Sequence, residues 1–184
     1  MSLACRCLWT SSYHFPVGYH LETRGSSMFE LFKAKPFQDA QLGELRRARR
    51  LWKGALELAP CGRFRLSLAG SRDAPDAAAL ELARELPQRF RELMPEIQEA
   101  LFDHYEPYKE AADAGERTGS PCPNLAGPAD VWPHVTPAHV LIEFPDGAPM
   151  VEIAFRTEWD IEHTVAAIVC QWQLYELNGS VRTR

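Results

Sequence analysis

The densest cluster of side chains able to do chemistry is Trp159-Asp160-Ile161-Glu162-His163. Two carboxylates and an imidazole within four positions can exchange protons near neutral pH, because histidine titrates there. They can also contribute to a metal site, which commonly takes three protein ligands in converging geometry. His134 or His139, further upstream, would supply the missing imidazole. The spacing therefore gives a candidate acid–base set of Asp160, Glu162 and His163. It also gives a candidate metal set of His139, Asp160 and His163. The same residues have a structural reading. Asp160 can hold a turn by accepting from backbone amides. Glu162 can pair with an arginine, and His163 can satisfy a carbonyl. The Trp159 indole can close a core with its N–H bonded. As a contact surface, the candidates are Trp159, Asp160, Glu162 and His163 together with Trp132 and His134. Aromatic anchors dominate interfaces where they are exposed.

A second cluster is basic. Arg46, Arg47, Arg49, Arg50 and Lys53 surround Trp52. Such a patch can meet phosphate or an acidic protein. The charges straddle an expected hairpin turn, and the chain as a whole carries a formal net charge of −5. A solvated turn is the simpler reading, and a nucleic-acid partner is not expected. The common nucleotide, serine-hydrolase and zincin motifs do not occur: there is no G-x-G-x-x-G, G-x-x-x-x-G-K-[ST], G-x-S-x-G or H-E-x-x-H. No cofactor is expected.

The elements that must position these groups follow from periodicity. Leu42–Arg46, Leu51–Leu58 and Arg63–Leu68 read as three antiparallel strands. Asp73-Ala74-Pro75-Asp76 then signals a helix start. Leu80, Ala83, Leu86, Phe90, Met94, Ile97, Leu101 and Tyr105 recur every three or four residues, which marks one helix face. Pro87 and Pro95 each remove a backbone donor, so a kinked or segmented helical stretch is expected over about 76–112. Residues 113–138 form a long Pro- and Gly-rich loop. His139–Phe144, Met150–Arg156, Thr164–Cys170 and Leu174–Leu177 read as a C-terminal β-meander, with an Asp-Gly hairpin at Asp146-Gly147 and a turn at Asn178-Gly179. The fold class is α+β: antiparallel strands before and after a kinked helical layer.

The 184 residues suit one domain with a tail. Such a chain buries roughly 70% of its unfolded surface. Hydrophobic residues make up 46% and charged residues 24%, which is globular composition. No apolar run reaches the ~20 residues of a membrane span, so no membrane partner is expected. The five cysteines are odd in number and scattered, which suits a reducing cytoplasm. Residues 1–27 lack periodicity and a signal-peptide pattern, and Arg24-Gly25-Ser26-Ser27 reads as a linker. They are expected to be a disordered extension or an upstream translated segment. A single domain over 28–184 would then start at Met28.

Val131-Trp132-Pro133-His134-Val135-Thr136-Pro137-Ala138-His139-Val140, Val151–Phe155, Trp159–Thr164 and Glu176-Leu177-Asn178-Gly179-Ser180-Val181 together resemble a family of uncharacterised bacterial proteins. Leu42–Leu45, Trp52-Lys53-Gly54 and Leu68–Ser71 extend the resemblance over about residues 28–181. It implies one α+β domain and a special role for the 159–163 segment. By association it also implies immunity-like or other partner-binding roles, and no chemistry. The resulting expectation is a non-enzymatic, cytoplasmic, protein-binding module. The alternatives are a metal-assisted hydrolase built on the 159–163 turn and a structural homodimer joined at the C-terminal sheet edge.

Overall fold

The computed structural model describes residues 34–116 and 121–178. The expectations for residues 1–27, for a start at Met28 and for the turn at Gly179 lie outside these residues. All the described residues fall within one compact unit, Lys33–Arg184.

The strands are β1 (Phe37–Asp39), β2 (Gly43–Ala48), β3 (Leu51–Leu58), β4 (Gly62–Leu68), β5 (Val135–Glu143), β6 (Met150–Thr157), β7 (Val165–Cys170) and β8 (Gln173–Asn178), with the helix α1 (Ala77–Asp113) between β4 and β5. They form one eight-stranded sheet in sequence order. The two strand groups seen in the sequence are thus halves of one sheet. Every pairing is antiparallel except β4–β5, which is parallel and aligns Leu66 with Val140. A parallel neighbour cannot be reached by a tight turn, so the chain must cross the sheet. The helix and the 113–138 connection are that crossover. The connection is partly ordered as 3-10 turns at Pro128–Asp130 and Trp132–His134, and β5 begins at Val135, four residues earlier than expected. Strand β1 is too short, at three residues, to show a period in the sequence.

The helical stretch is one continuous helix of 37 residues that contains Pro87, Pro95 and Pro107. It is not broken into segments. Pro95 and Pro107 are exposed, so the carbonyls they leave unpaired lie on the water side. The opposite side is held by burial of Leu80, Ala83, Leu86, Phe90, Leu93, Ile97, Leu101 and Tyr105. Leu93, rather than Met94, is the buried member of that turn. Asp76 caps the helix by accepting from the amides of Ala78 (2.8 Å) and Ala79 (3.3 Å). The entry loop passes close to Gly70, where an added Cβ would lie 2.6 Å from the Ala74 carbonyl oxygen.

Helix α1 covers one face of the sheet. Trp52, Leu56, Phe64, Leu66, Val140, Ile153, Phe155, Val165 and Ala167 lie under it in a single core. Phe64 meets Phe155 and Phe90 edge to face, with ring centres 5.6 and 6.4 Å apart. On the opposite face Ala138, Ala154, Ala166 and Ile168 form a separate small apolar cluster. Among the described residues, no helix is long and apolar enough to cross a membrane.

Asp39 ties the β1–β2 turn to the helix. Its carboxylate accepts from the amides of Gln41 and Leu42, both at 2.9 Å, and pairs with Arg84 at 2.5 Å. The Arg84 guanidinium, with these amides, outweighs burial and holds the carboxyl at about 2, below its ordinary 3.8. A depressed carboxyl stabilises the fold above its ordinary value and loses that contribution as pH falls. Denaturant melts should show this part of the stability complete above pH 3.8 and fading towards pH 2. Asp39→Asn should be less stable at neutral pH and should lack that acid limb.

Candidate functional site

The structure gives the 159–163 turn a supporting job. Trp159 is 1% exposed, and its indole N–H donates to Nδ1 of His104 at 3.0 Å. Its ring meets Tyr105 edge to face. It is a core residue and not a surface anchor, because the strand β6 ends by turning it inward against α1. Asp160 is also buried. It accepts from the Tyr108 hydroxyl (2.7 Å), from the amides of Glu162 (3.3 Å) and His163 (3.1 Å), and from His163 Nδ1 (3.0 Å). Burial alone would raise the Asp160 carboxyl. The Tyr108 and His163 hydrogen bonds reverse that and hold it below the ordinary carboxylate value. Burial, with the hydrogen bond to Asp160 and the negative charges of Asp160 and Glu162, pushes the Tyr108 hydroxyl up to about 12. The side chain of His163 is half exposed, and Ile161 is 64% exposed at the tip of the turn.

The loop residues are used in the same way. His134 Nδ1 lies 2.7 Å from Glu158, and its carbonyl accepts from the Glu158 amide at 3.1 Å. Trp132 is half-buried between Phe90 and Phe155, and its N–H donates to Gln98 at 2.8 Å. Trp172 is also half-buried and lies 5.7 Å from the Arg89 guanidinium.

The metal set is not brought together. His139 lies on the face of the sheet away from α1, because its neighbours Val140 and Ile142 take the core side. Asp160 and His163 sit with Tyr108 of the helix. Among the described residues, no three His, Cys, Asp or Glu side chains gather to hold a metal ion.

The face away from the helix carries a constellation that the sequence reading missed. A concavity of about 600 Å³ is lined there by Lys53, Arg65, Ser67, His139, Glu152 and Arg156, with Leu141 at its floor. Cross-strand register builds it. Lys53 faces Ser67, Arg65 faces His139, and Leu141 faces Glu152. Lys53 Nζ donates to Ser67 Oγ at 2.8 Å, and Arg65 Nε donates to the Ala138 carbonyl at 3.2 Å. His139 Nε2 and Glu152 Oε1 are 2.7 Å apart, and both side chains are nearly buried. Burial, with Arg65 and Arg49 nearby, lowers the Lys53 ammonium from its ordinary value. Like charges are therefore held close at Lys53. The signal was present in the sequence as a polar set at alternate positions of β3, β4, β5 and β6. It spreads over a hundred residues, so only the pairing of the strands assembles it.

The basic turn behaves differently from this basin. Arg46 pairs with Glu44 at 2.5 Å, and Arg47 donates to the carbonyls of Arg49 and Ser71. Both are spent on local structure at the β2–β3 hairpin.

The fold and this site define an α+β domain with a helix on one sheet face and a cationic basin on the other. The chain belongs to the family described as Domain of unknown function (DUF6985), whose model matches residues 42–180. Neither the curated proteins nor the solved structures gave a match.

Trp159→Ala should cost about 3–5 kcal/mol in denaturant unfolding, as expected for a large aromatic removed from a core. A loss under ~1 kcal/mol would show that the indole is not structural. His104 adds a pH dependence. Burial lowers its imidazole from the ordinary 6.5, against the pull of Asp160. The folded state favours neutral His104, so its contribution is complete above pH 6.5 and lost as pH falls below it. Protonation also removes the acceptor that Trp159 uses. The His104→Leu variant should lack this step in its stability–pH curve.

Proposed function

We propose that the protein is a non-enzymatic binding module, regulatory or immunity-like and cytoplasmic, that docks an acidic segment of a protein partner in the basin opposite α1. One observation carries the reading. Lys53, Arg65 and Arg156 line a single concavity, and among the described residues no carboxylate pairs with any of them. The rest of the chain is acidic, with a net charge of −5, so this face stands out as a local attractor for negative charge. Ligand pockets of this size, roughly 300–1,000 Å³, commonly pair an apolar floor with a few convergent polar groups. The cytoplasmic part of the proposal is supported by Cys61, Cys122 and Cys170, which are all free thiols. The 159–163 turn supports the sheet edge rather than forming the contact itself.

The test uses hexaglutamate as probe. Two-dimensional amide NMR of the full chain should show salt-sensitive shifts confined to β3–β6. Binding should weaken markedly from ~0.05 to ~0.5 M salt, since exposed charges are screened over a few ångströms at high salt. Lys53→Gln with Arg65→Gln should abolish the shifts while leaving the spectrum dispersed. Shifts elsewhere, or none, would overturn the proposal.

A second reading is a homodimer joined through β8. That strand ends the sheet, and Tyr175 on it is 74% exposed. Sedimentation should then show a dimer that Tyr175→Lys dissociates.

A further inference from the structure

We infer that the basin holds a phosphoryl-group subsite, so that the acidic segment it takes is phosphorylated on a side chain. The inference rests on the proposed docking function and names the chemistry of its ligand.

The argument begins with charge. Lys53, Arg65 and Arg156 face one carboxylate, Glu152, within the same lining. Glu152 is already engaged by His139 at 2.7 Å. The lining therefore carries a surplus of two positive charges. A single carboxylate ligand would neutralise half of that surplus. A phosphorylated side chain carries about −1.5 to −2 at neutral pH and matches it.

Donor geometry points the same way. Two guanidinium forks and an ammonium offer planar, paired donors and a point charge, the combination that suits a group with three terminal oxygens. Ser67 adds a short donor at the floor. Its oxygen accepts from Lys53 at 2.8 Å, which leaves the hydroxyl proton directed elsewhere. Ser67 is 6% exposed, so this proton is available only to a group seated deep in the basin.

Placement adds a third point. The cations come from β3, β4 and β6, strands that span about 14 Å at the usual ~4.8 Å spacing. Arg65 and Arg156 are exposed at the rim, whereas Lys53 is half-buried beside Ser67. A phosphoryl group entering between them meets donors from more than one side. The apolar floor at Leu141 and the surrounding volume leave room for the flanking polypeptide.

The experiment compares three probes on the full chain by calorimetry and amide NMR. They are hexaglutamate, the same peptide with one central residue replaced by phosphoserine, and inorganic phosphate. The phosphopeptide should bind about tenfold tighter or more than hexaglutamate, in line with the added charge-assisted bonds. Ser67→Ala should shrink that preference several-fold, measured as the ratio of the two peptide affinities in the variant. Equal affinity of the two peptides would overturn the subsite and leave the docking proposal standing. Failure of both peptides would overturn both. Inorganic phosphate binding as tightly as the phosphopeptide would give the basin to a free phosphate and overturn the protein source. Retained amide dispersion in Ser67→Ala shows that any lost preference comes from the hydroxyl.

Discussion

The parallel pairing of β4 with β5 is the constraint from which the rest of the molecule follows. An antiparallel meander could have run through all eight strands with short turns. One parallel pair forces the chain to leave the sheet, cross it and return. The crossing element is a helix of 37 residues, about 55 Å long, and it can lie against only one face. That face becomes the core. The other face is left to side chains that make their own arrangements, and there the polar residues of four strands come together.

The two ends of this crossover are fixed by polar contacts. Asp76 starts the helix, and Asp39 anchors the β1–β2 turn to Arg84 early along it. At the far end, Tyr108 and His104 receive the 159–160 turn. The indole of Trp159 and the carboxylate of Asp160 are buried with their hydrogen-bonding groups met, as buried polar groups must be. A cluster of histidine, carboxylate and aromatic residues therefore has a structural explanation. It closes the sheet against the helix, and Asp160 accepts from the amides of the turn that carries Ile161 and Glu162.

The charge distribution follows the same division. The helix surface spends its charges in local pairs, such as Arg89 with Glu85 and Glu92. The β2–β3 hairpin spends Arg46 and Arg47 on its own turn. The basin gathers Lys53, Arg65 and Arg156 in one lining with no carboxylate paired to them among the described residues, and partial burial raises the cost of holding the Lys53 charge there. Retaining such charges, at the expense of a lowered Lys53, is what a site prepared for an anion would require.

By itself, the sequence determined most of the elements: the strands after β1 from alternation or an apolar run, the helical stretch from its three-four spacing, the Asp76 start, the Asp-Gly hairpin and the meander. Asp146 and Gly147 indeed take positive φ, of 53° and 82°. These are local properties, set by residues a few positions apart. The continuity of the helix through Pro87 and Pro95 was decided by tertiary burial of its apolar side, which outweighs the lost backbone bonds. The inward turn of Trp159 and the opposite faces of His139 and His163 were decided by which side of the sheet the helix occupies. The basin needed the tertiary structure most. Lys53 and Arg156 are a hundred residues apart, and only strand register, with its period of two, brings them to one face.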